Sequence, residues 1–217
     1  MVTALFHVLC RLSVQNNALT PQNEQFSGIK RGIIGETLNT NDLKAVAKKN
    51  GASVNDTIMA MLAVSLYKYF ESKGKPEDTV TIGLPASFKK AAKTADQLKL
   101  INDLCPLFIE LTLTEDFNKA LKSVKRSGKE LRNSFRPYAL YYLTKIMAKV
   151  PMSVYLGISQ HCTKKMTMTL SNVAGPKTPL VYEGIECRKM AILPPVIGLV
   201  PCGFSIISIG ENVKIGF

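Results

Sequence analysis

From Met190 to Gly210 the chain carries no charged residue, a run long enough on length alone for a membrane-spanning helix. Pro194, Pro195, Gly198, Pro201 and Gly203 break that run, and a helix would lose several backbone hydrogen bonds there. Two buried strands joined by a proline-rich turn accommodate the same residues. The end of the chain therefore reads as sheet, and no transmembrane segment is expected.

The remaining punctuation extends this into a mixed architecture. Residues 13–28 are polar, unperiodic and turn-rich, and read as a linker after an amphipathic helix over Met1–Leu12. A short strand is expected near Lys30–Glu36. Thr40 is placed to cap a helix over Asn41–Lys49 that stops at Asn50-Gly51. Ser53 opens a longer helix to about Phe70, with Ile58, Met59, Leu62, Leu66, Tyr69 and Phe70 on one apolar face. Thr79–Pro85 and Pro106–Leu113 read as strands around a basic loop holding Lys89, Lys90, Lys93 and Lys99. Thr114 is expected to cap the next helix, and helical pattern resumes over Tyr138–Lys149 and Ser153–His161. Strands follow at Met166–Ser171, Leu180–Tyr182, Cys187–Leu193, Gly203–Ile209 and Val213–Phe217. Strands alternating with helices, then strands together, indicate an α/β chain with a mixed β-sheet flanked by helices.

Charge narrows the partners without choosing one. Lys and Arg number 28 against 16 Asp and Glu in 217 residues, which favours nucleic acid, an anionic membrane surface or a phosphate-bearing ligand. The basic residues are spread over helices and loops with no accompanying aromatic motif, zinc finger or recognition helix, so nucleic acid is disfavoured. Cys10, Cys105, Cys162, Cys187 and Cys202 are widely spaced and form no C-x-x-C, the pattern of reduced thiols in a cytosol-facing compartment. His7 and His161 sit in no metal-binding spacing. His161 and Cys162, adjacent on a helix, point about 100° apart and make a poor base–nucleophile pair. No metal, cofactor or catalytic residue is assigned from these patterns.

Two ordered stretches say more. Gly51-Ala-Ser-Val-Asn-Asp-Thr-Ile-Met-Ala60 leads a long apolar helix, and Ser171-Asn-Val-Ala-Gly-Pro176 precedes a short strand, Glu183-Gly184 and two terminal strands. With Leu84-Pro-Ala-Ser-Phe-Lys89 and Ile101-Asn-Asp103, this series resembles the C-terminal half of the wax ester synthase/diacylglycerol acyltransferase family. The likeness runs from about Arg31 to Phe217. Ala174 stands where that family commonly has proline.

The resemblance implies a chloramphenicol-acetyltransferase-like half, with residues 1–28 as N-terminal helix and crossover and residues 29–217 as the C-terminal domain. It implies transfer of a fatty acyl group from acyl-CoA, as substrate, to a long-chain alcohol or diacylglycerol, in wax ester or triacylglycerol synthesis. The family's general base lies in an H-H-x-x-x-D-G motif that this sequence lacks. An N-terminal catalytic half or a second subunit is then an expected partner, and this chain alone is expected to be inactive. The alternative is a non-catalytic lipid- or acyl-CoA-binding or scaffold module that keeps the fold.

Four residues are candidates for the substrate cleft. Asn55 and Asp56 match the family's N-D pair, yet Ser53-Val-Asn-Asp56 is also an S-x-x-D helix start whose carboxylate satisfies backbone donors. Ser171 and Asn172 end a strand before a Gly-Pro bend, where they could face a cleft or serve the turn. Both readings stand for each pair. A cytoplasmic chain is expected, peripheral at the endoplasmic reticulum or another membrane, with Met1–Leu12 and the loop Lys89–Lys99 as contact elements.

Overall fold

The computed structural model describes residues 12–20, 27–89, 94–97, 101, 103–195 and 200–217. The expected helix Met1–Leu12, apart from Leu12, lies outside them, as do Lys90, Lys93 and Lys99 of the basic loop. Strand β1 (Leu38–Asn39) leads into helix α1 (Thr40–Lys49) and then α2 (Val54–Ser72). Strands β2 (Thr79–Ser87) and β3 (Leu104–Thr112) precede three helices, α3 (Phe117–Arg132), α4 (Arg136–Met147) and α5 (Met152–Thr163). The chain ends in β4 (Met168–Val173), β5 (Leu180–Tyr182), β6 (Ile185–Cys187), β7 (Cys202–Ile209) and β8 (Asn212–Gly216).

The main sheet has six strands in the order β1-β8-β7-β4-β2-β3. Strands β7, β4 and β2 are parallel, and antiparallel pairs close both sides. This is a mixed α/β sheet flanked by helices, as the sequence pattern indicates. β2 pairs with β3 through nine registered positions but with β4 through only two, Ile82 with Met168 and Gly83 with Thr169. Beyond those positions β2 stays with β3 and β4 with β7.

One face of this sheet is dry. Ile58, Met59, Leu62, Leu66 and Phe70 of α2 pack against Val80, Ile82, Leu111, Met168, Leu170 and Ile206. Full burial of each such aliphatic side chain contributes about 1.5–3 kcal/mol. Helix α3 extends the layer with Ala120, Leu121 and Val124.

The other face mixes buried polar side chains with apolar ones such as Ile207 and Ile209 of β7. Thr81 and Ser205 lie between core residues of β2 and β7, and both are buried. Thr167, just before β4, is also buried. Leu12 and residues 13–20, the start of the stretch read as a linker, lie against this face. Gln15 Oε1 accepts from Thr167 Oγ1 at 2.9 Å and Asn17 Nδ2 donates to Thr167 Oγ1 at 3.0 Å. Lys165 Nζ donates to the Leu12 carbonyl at 2.6 Å. Buried polar groups thus find partners, which a dry sheet–sheet contact would deny them.

Several local expectations are corrected. Asn39, not Thr40, caps α1, its side chain accepting from Asn41 N at 2.7 Å. Asp116, not Thr114, caps α3, accepting from the amides of Asn118 and Lys119. In each case the Thr lies one or two residues off the position from which a side chain reaches the N2 and N3 amides. The strand expected over Lys30–Glu36 is an extended segment that meets β8 through Ile33–Phe217 backbone bonds and a single bridge, Ile34 to Gly216. The strand expected over Cys187–Leu193 ends at Cys187, so among its described residues the uncharged run supplies one strand, not two. The rest of that segment lies over the sheet, where the Ser205 hydroxyl donates to the Ile192 carbonyl and Pro194 covers Gly203.

Burial makes Phe70, fully enclosed between α2 and the sheet, a sensitive core position. Phe70→Ala should cost about 3–5 kcal/mol in urea unfolding, whereas Tyr182→Ala, at an exposed position in β5, should stay within about 0.5 kcal/mol.

Candidate functional site

The first turn of α2 is held by a reciprocal cap. Ser53 Oγ accepts from Asp56 N at 3.1 Å, and Asp56 Oδ2 accepts from Ser53 N at 3.2 Å and Ser53 Oγ at 2.7 Å. Asp56 is buried and its carboxylate is engaged in this capping box. Asn55, one residue earlier, is exposed and points elsewhere.

Its partner is at the end of β4. Asn172 Nδ2 donates to Asn55 Oδ1 at 2.9 Å, so two of the four candidate residues, 117 positions apart in sequence, meet side chain to side chain. Ser171 does not join them. Strand alternation places it on the other face of the sheet, opposite Ser205 in register, while Asn172 stands opposite Ile206. Gly175 fixes the bend that follows, since a methyl there would overlap the Ser208 carbonyl.

A small apolar pocket of about 130 Å³ lies between α2 and the sheet, and neither asparagine lines it, although neighbours of both do. Ile58 is one turn beyond Asn55, Leu170 is two residues before Asn172 on the same strand face, and Ile206 is Asn172's register partner. Met61, Phe204 and Ile215 contribute further wall. An apolar recess of this kind can take an apolar part of a ligand. Sequence reading missed the recess, because its lining comes from five elements with no shared motif.

A larger apolar cavity of about 220 Å³ lies between β3, α4 and α5, with Phe108, Leu143, Met147, Tyr155 and Cys162 among its lining. It contains none of the four candidate residues. Beside β3, Asp103 Oδ1 meets Lys145 Nζ at 2.7 Å, and Tyr141 Oη donates to Asp103 Oδ2 at 3.2 Å. The hydrogen bond from Lys145 holds the Asp103 carboxyl below its ordinary range, and the same bond raises the Lys145 ammonium above its own. This cluster ties α4 to the start of β3.

At three of the four described thiols, burial disfavours the thiolate. Burial, with a smaller contribution from Asp103, pushes Cys105 up to about 11, and burial also raises Cys162 and Cys202. All three are held protonated at neutral pH. Among the described residues, no group of three or more His, Cys, Asp or Glu comes together to hold a metal.

The strand order and directions of this mixed sheet, flanked by helices, are those of the condensation-domain and chloramphenicol-acetyltransferase-like fold. Structural comparison places the chain there. It matches a wax ester synthase/diacylglycerol acyltransferase from Marinobacter aquaeolei VT8 with a TM-score of 0.66 and 16% identity, covering 99% of this chain and 49% of that one. The first condensation domain of the CDA synthetase matches with a TM-score of 0.54 and 13% identity, covering 100% of this chain and 43% of that one. Residues 102–217 match the WS/DGAT C-terminal domain, and the chain belongs to that family. A Mycobacterium tuberculosis protein named as a candidate diacylglycerol O-acyltransferase is 26% identical over 206 residues, 91% of this chain and 40% of the relative. Another from the same organism is 27% identical over 207 residues, 91% of this chain and 44% of the relative. The chain thus spans about two-fifths of the length of these relatives.

The Asp103–Lys145 pair gives a pH signature. With the Asp103 value lowered, its contribution is complete above the unfolded carboxylate value of about 3.9 and is lost as pH falls through the folded value. With the Lys145 value raised, its contribution is complete below the unfolded value of about 10.4 and is lost as pH rises through the folded one. The stability gap between wild type and Asp103→Asn, measured by urea unfolding, should be widest between these limits and close in acid. A gap independent of pH contradicts the ion-pair account.

Proposed function

We propose that this chain forms the C-terminal half of an acyl-CoA-dependent O-acyltransferase that esterifies a long-chain alcohol or diacylglycerol. Family membership supports acyl transfer, and the observation that carries the local reading is the Asn172–Asn55 hydrogen bond joining the start of α2 to the end of β4. In this reading the recess takes an apolar part of a substrate, and the amides hold the polar end in register. Asp56 acts by fixing the helix start from which Asn55 projects.

The reaction joins the alcohol oxygen to the thioester carbonyl carbon and breaks the carbon–sulfur bond. The hydroxyl proton, taken up by a general base during attack, ends on the departing CoA sulfur. Such a base contributes about 10²–10⁴-fold. The sequence has no H-H-x-x-x-D-G, and its histidines are His7 and His161. The base therefore belongs, in this proposal, to the N-terminal half, supplied by a longer polypeptide or a second subunit.

The test is ester formation from long-chain acyl-CoA by the protein carrying both halves. Asn172→Ala in that protein should lower turnover by up to about 10²-fold through loss of positioning, with stability changed by only about 0.5–1.5 kcal/mol. Acyl-CoA bound without any ester product would identify the binding module instead, and neither binding nor ester would overturn both readings.

A further inference from the structure

Inside the main sheet, β2 and β4 are joined by only two register pairs, whereas β4 meets β7 through six and β2 meets β3 through nine. The sheet thus contains two well-laddered blocks, β2–β3 and β4–β7–β8, held edge to edge over a short seam. On the dry face α2 packs across that seam, in one core with Val80 and Ile82 on one side and Met168 and Leu170 on the other. On the opposite face the crossing is made by residues 12–20.

This segment serves polar groups that the ladder leaves over. In a strand, the N–H and C=O of one residue point to the same edge. The Thr81 carbonyl accepts from Thr167 N at 2.9 Å, so the Thr81 N–H also faces the seam. Strand β4 begins only at Met168. The chain before it is still closing α5, with Lys165 N and Met166 N donating to the carbonyls of Cys162 and Thr163. Gln15 supplies an acceptor there: its Oε1 takes the Thr81 N–H at 3.4 Å and the Thr167 hydroxyl at 2.9 Å. One carboxamide oxygen therefore holds both sides of the seam. Asn17 Nδ2 donates to the same Thr167 oxygen at 3.0 Å, and Asn17 Oδ1 accepts from the amides of Leu19 and Thr20. Thr167 is fully buried and Asn17 nearly so, so loss of a partner leaves a buried polar group unpaired.

We infer that residues 12–20 form a clasp across the β2–β4 seam, closed by Gln15, that keeps the β2–β3 block from swinging away from β4. Hydrogen bonds from Gln15 N to the Lys164 carbonyl and from Lys165 Nζ to the Leu12 carbonyl anchor the clasp beside β4. The Gln15 side chain makes the reach to β2. Beyond Gly83 and Thr169 the two strands are no longer paired with each other, and the clasp is the pivot that sets how far they separate. It requires no acyl transfer, so it stands or falls separately from the proposed enzyme activity.

Amide hydrogen exchange of the full 217-residue chain, read by mass spectrometry, tests it. Gln15→Met keeps the length of the side chain and removes the acceptor. Peptides covering residues 79–84 and 166–170 should then exchange at least about tenfold faster. A peptide over residues 205–209, in the β7–β8 ladder, should keep the wild-type rate. Gln15→Glu retains an acceptor oxygen and should hold the seam within about threefold of wild type. Asn17→Ala removes the other bond to Thr167 and should accelerate the same two peptides, so a Gln15→Met chain that fails to fold still leaves a test. Unchanged exchange at the seam in either variant overturns the inference. Equal acceleration over residues 205–209 also overturns it, by marking a general loss of stability. So does a Gln15→Glu chain that exchanges as fast as Gln15→Met.

Discussion

The packing of α2 across the central parallel strands is the contact on which the other positions depend. Its buried stripe from Ile58 to Phe70 meets β2, β4 and β7 at once, so the helix cannot shift along its axis without opening the core. Ser53 and Asp56 fix where the first turn begins. Together these constraints leave Asn55 a single place, beside the end of β4. The bond to Asn172 follows from core packing and helix capping, not from any strong attraction of its own, since an exposed amide pair adds little net stability.

The division of the sheet into two unlike faces has a further consequence. Adjacent residues on a strand belong to opposite faces, so a motif such as Ser171-Asn172 cannot act as one unit. Asn172 meets Asn55 at the start of α2, while Ser171 stands in register with Ser205, whose hydroxyl is engaged by Ile192. The limited pairing of β2 with β4 matters for the same region. A sheet continuous to the end of β4 would pair its six residues with β2 as they pair with β7, but only two do so.

Legibility in the sequence followed the range of the interactions. Ser53-Val-Asn-Asp56 carries its capping box in four consecutive residues, and the α2 stripe has its period written in Ile58, Leu62 and Leu66, so both are readable. Caps decided by competition were not: Thr40 and Thr114 are acceptable cap residues that lose to Asn39 and Asp116 through backbone geometry. The segment after Cys187 is apolar enough for a strand, but Pro194 and Pro195 cannot donate to a ladder, and it lies instead over the sheet against Gly203. Asn55 and Asn172 were each visible as candidates through family resemblance. Their meeting was not, because it depends on the order β4-β2 within the sheet, which no local pattern encodes. The recess between α2 and the sheet was invisible for the same reason.

The apolar recess draws its wall from Ile58, Met61 and Leu62 of α2, Leu170 of β4 and Phe204 and Ile206 of β7. A concave apolar site selects by fit, and the shape of this one is set by the same α2–sheet packing that fixes where Asn55 stands. Any change that shifts α2 on the sheet therefore alters the recess and the Asn55–Asn172 contact together.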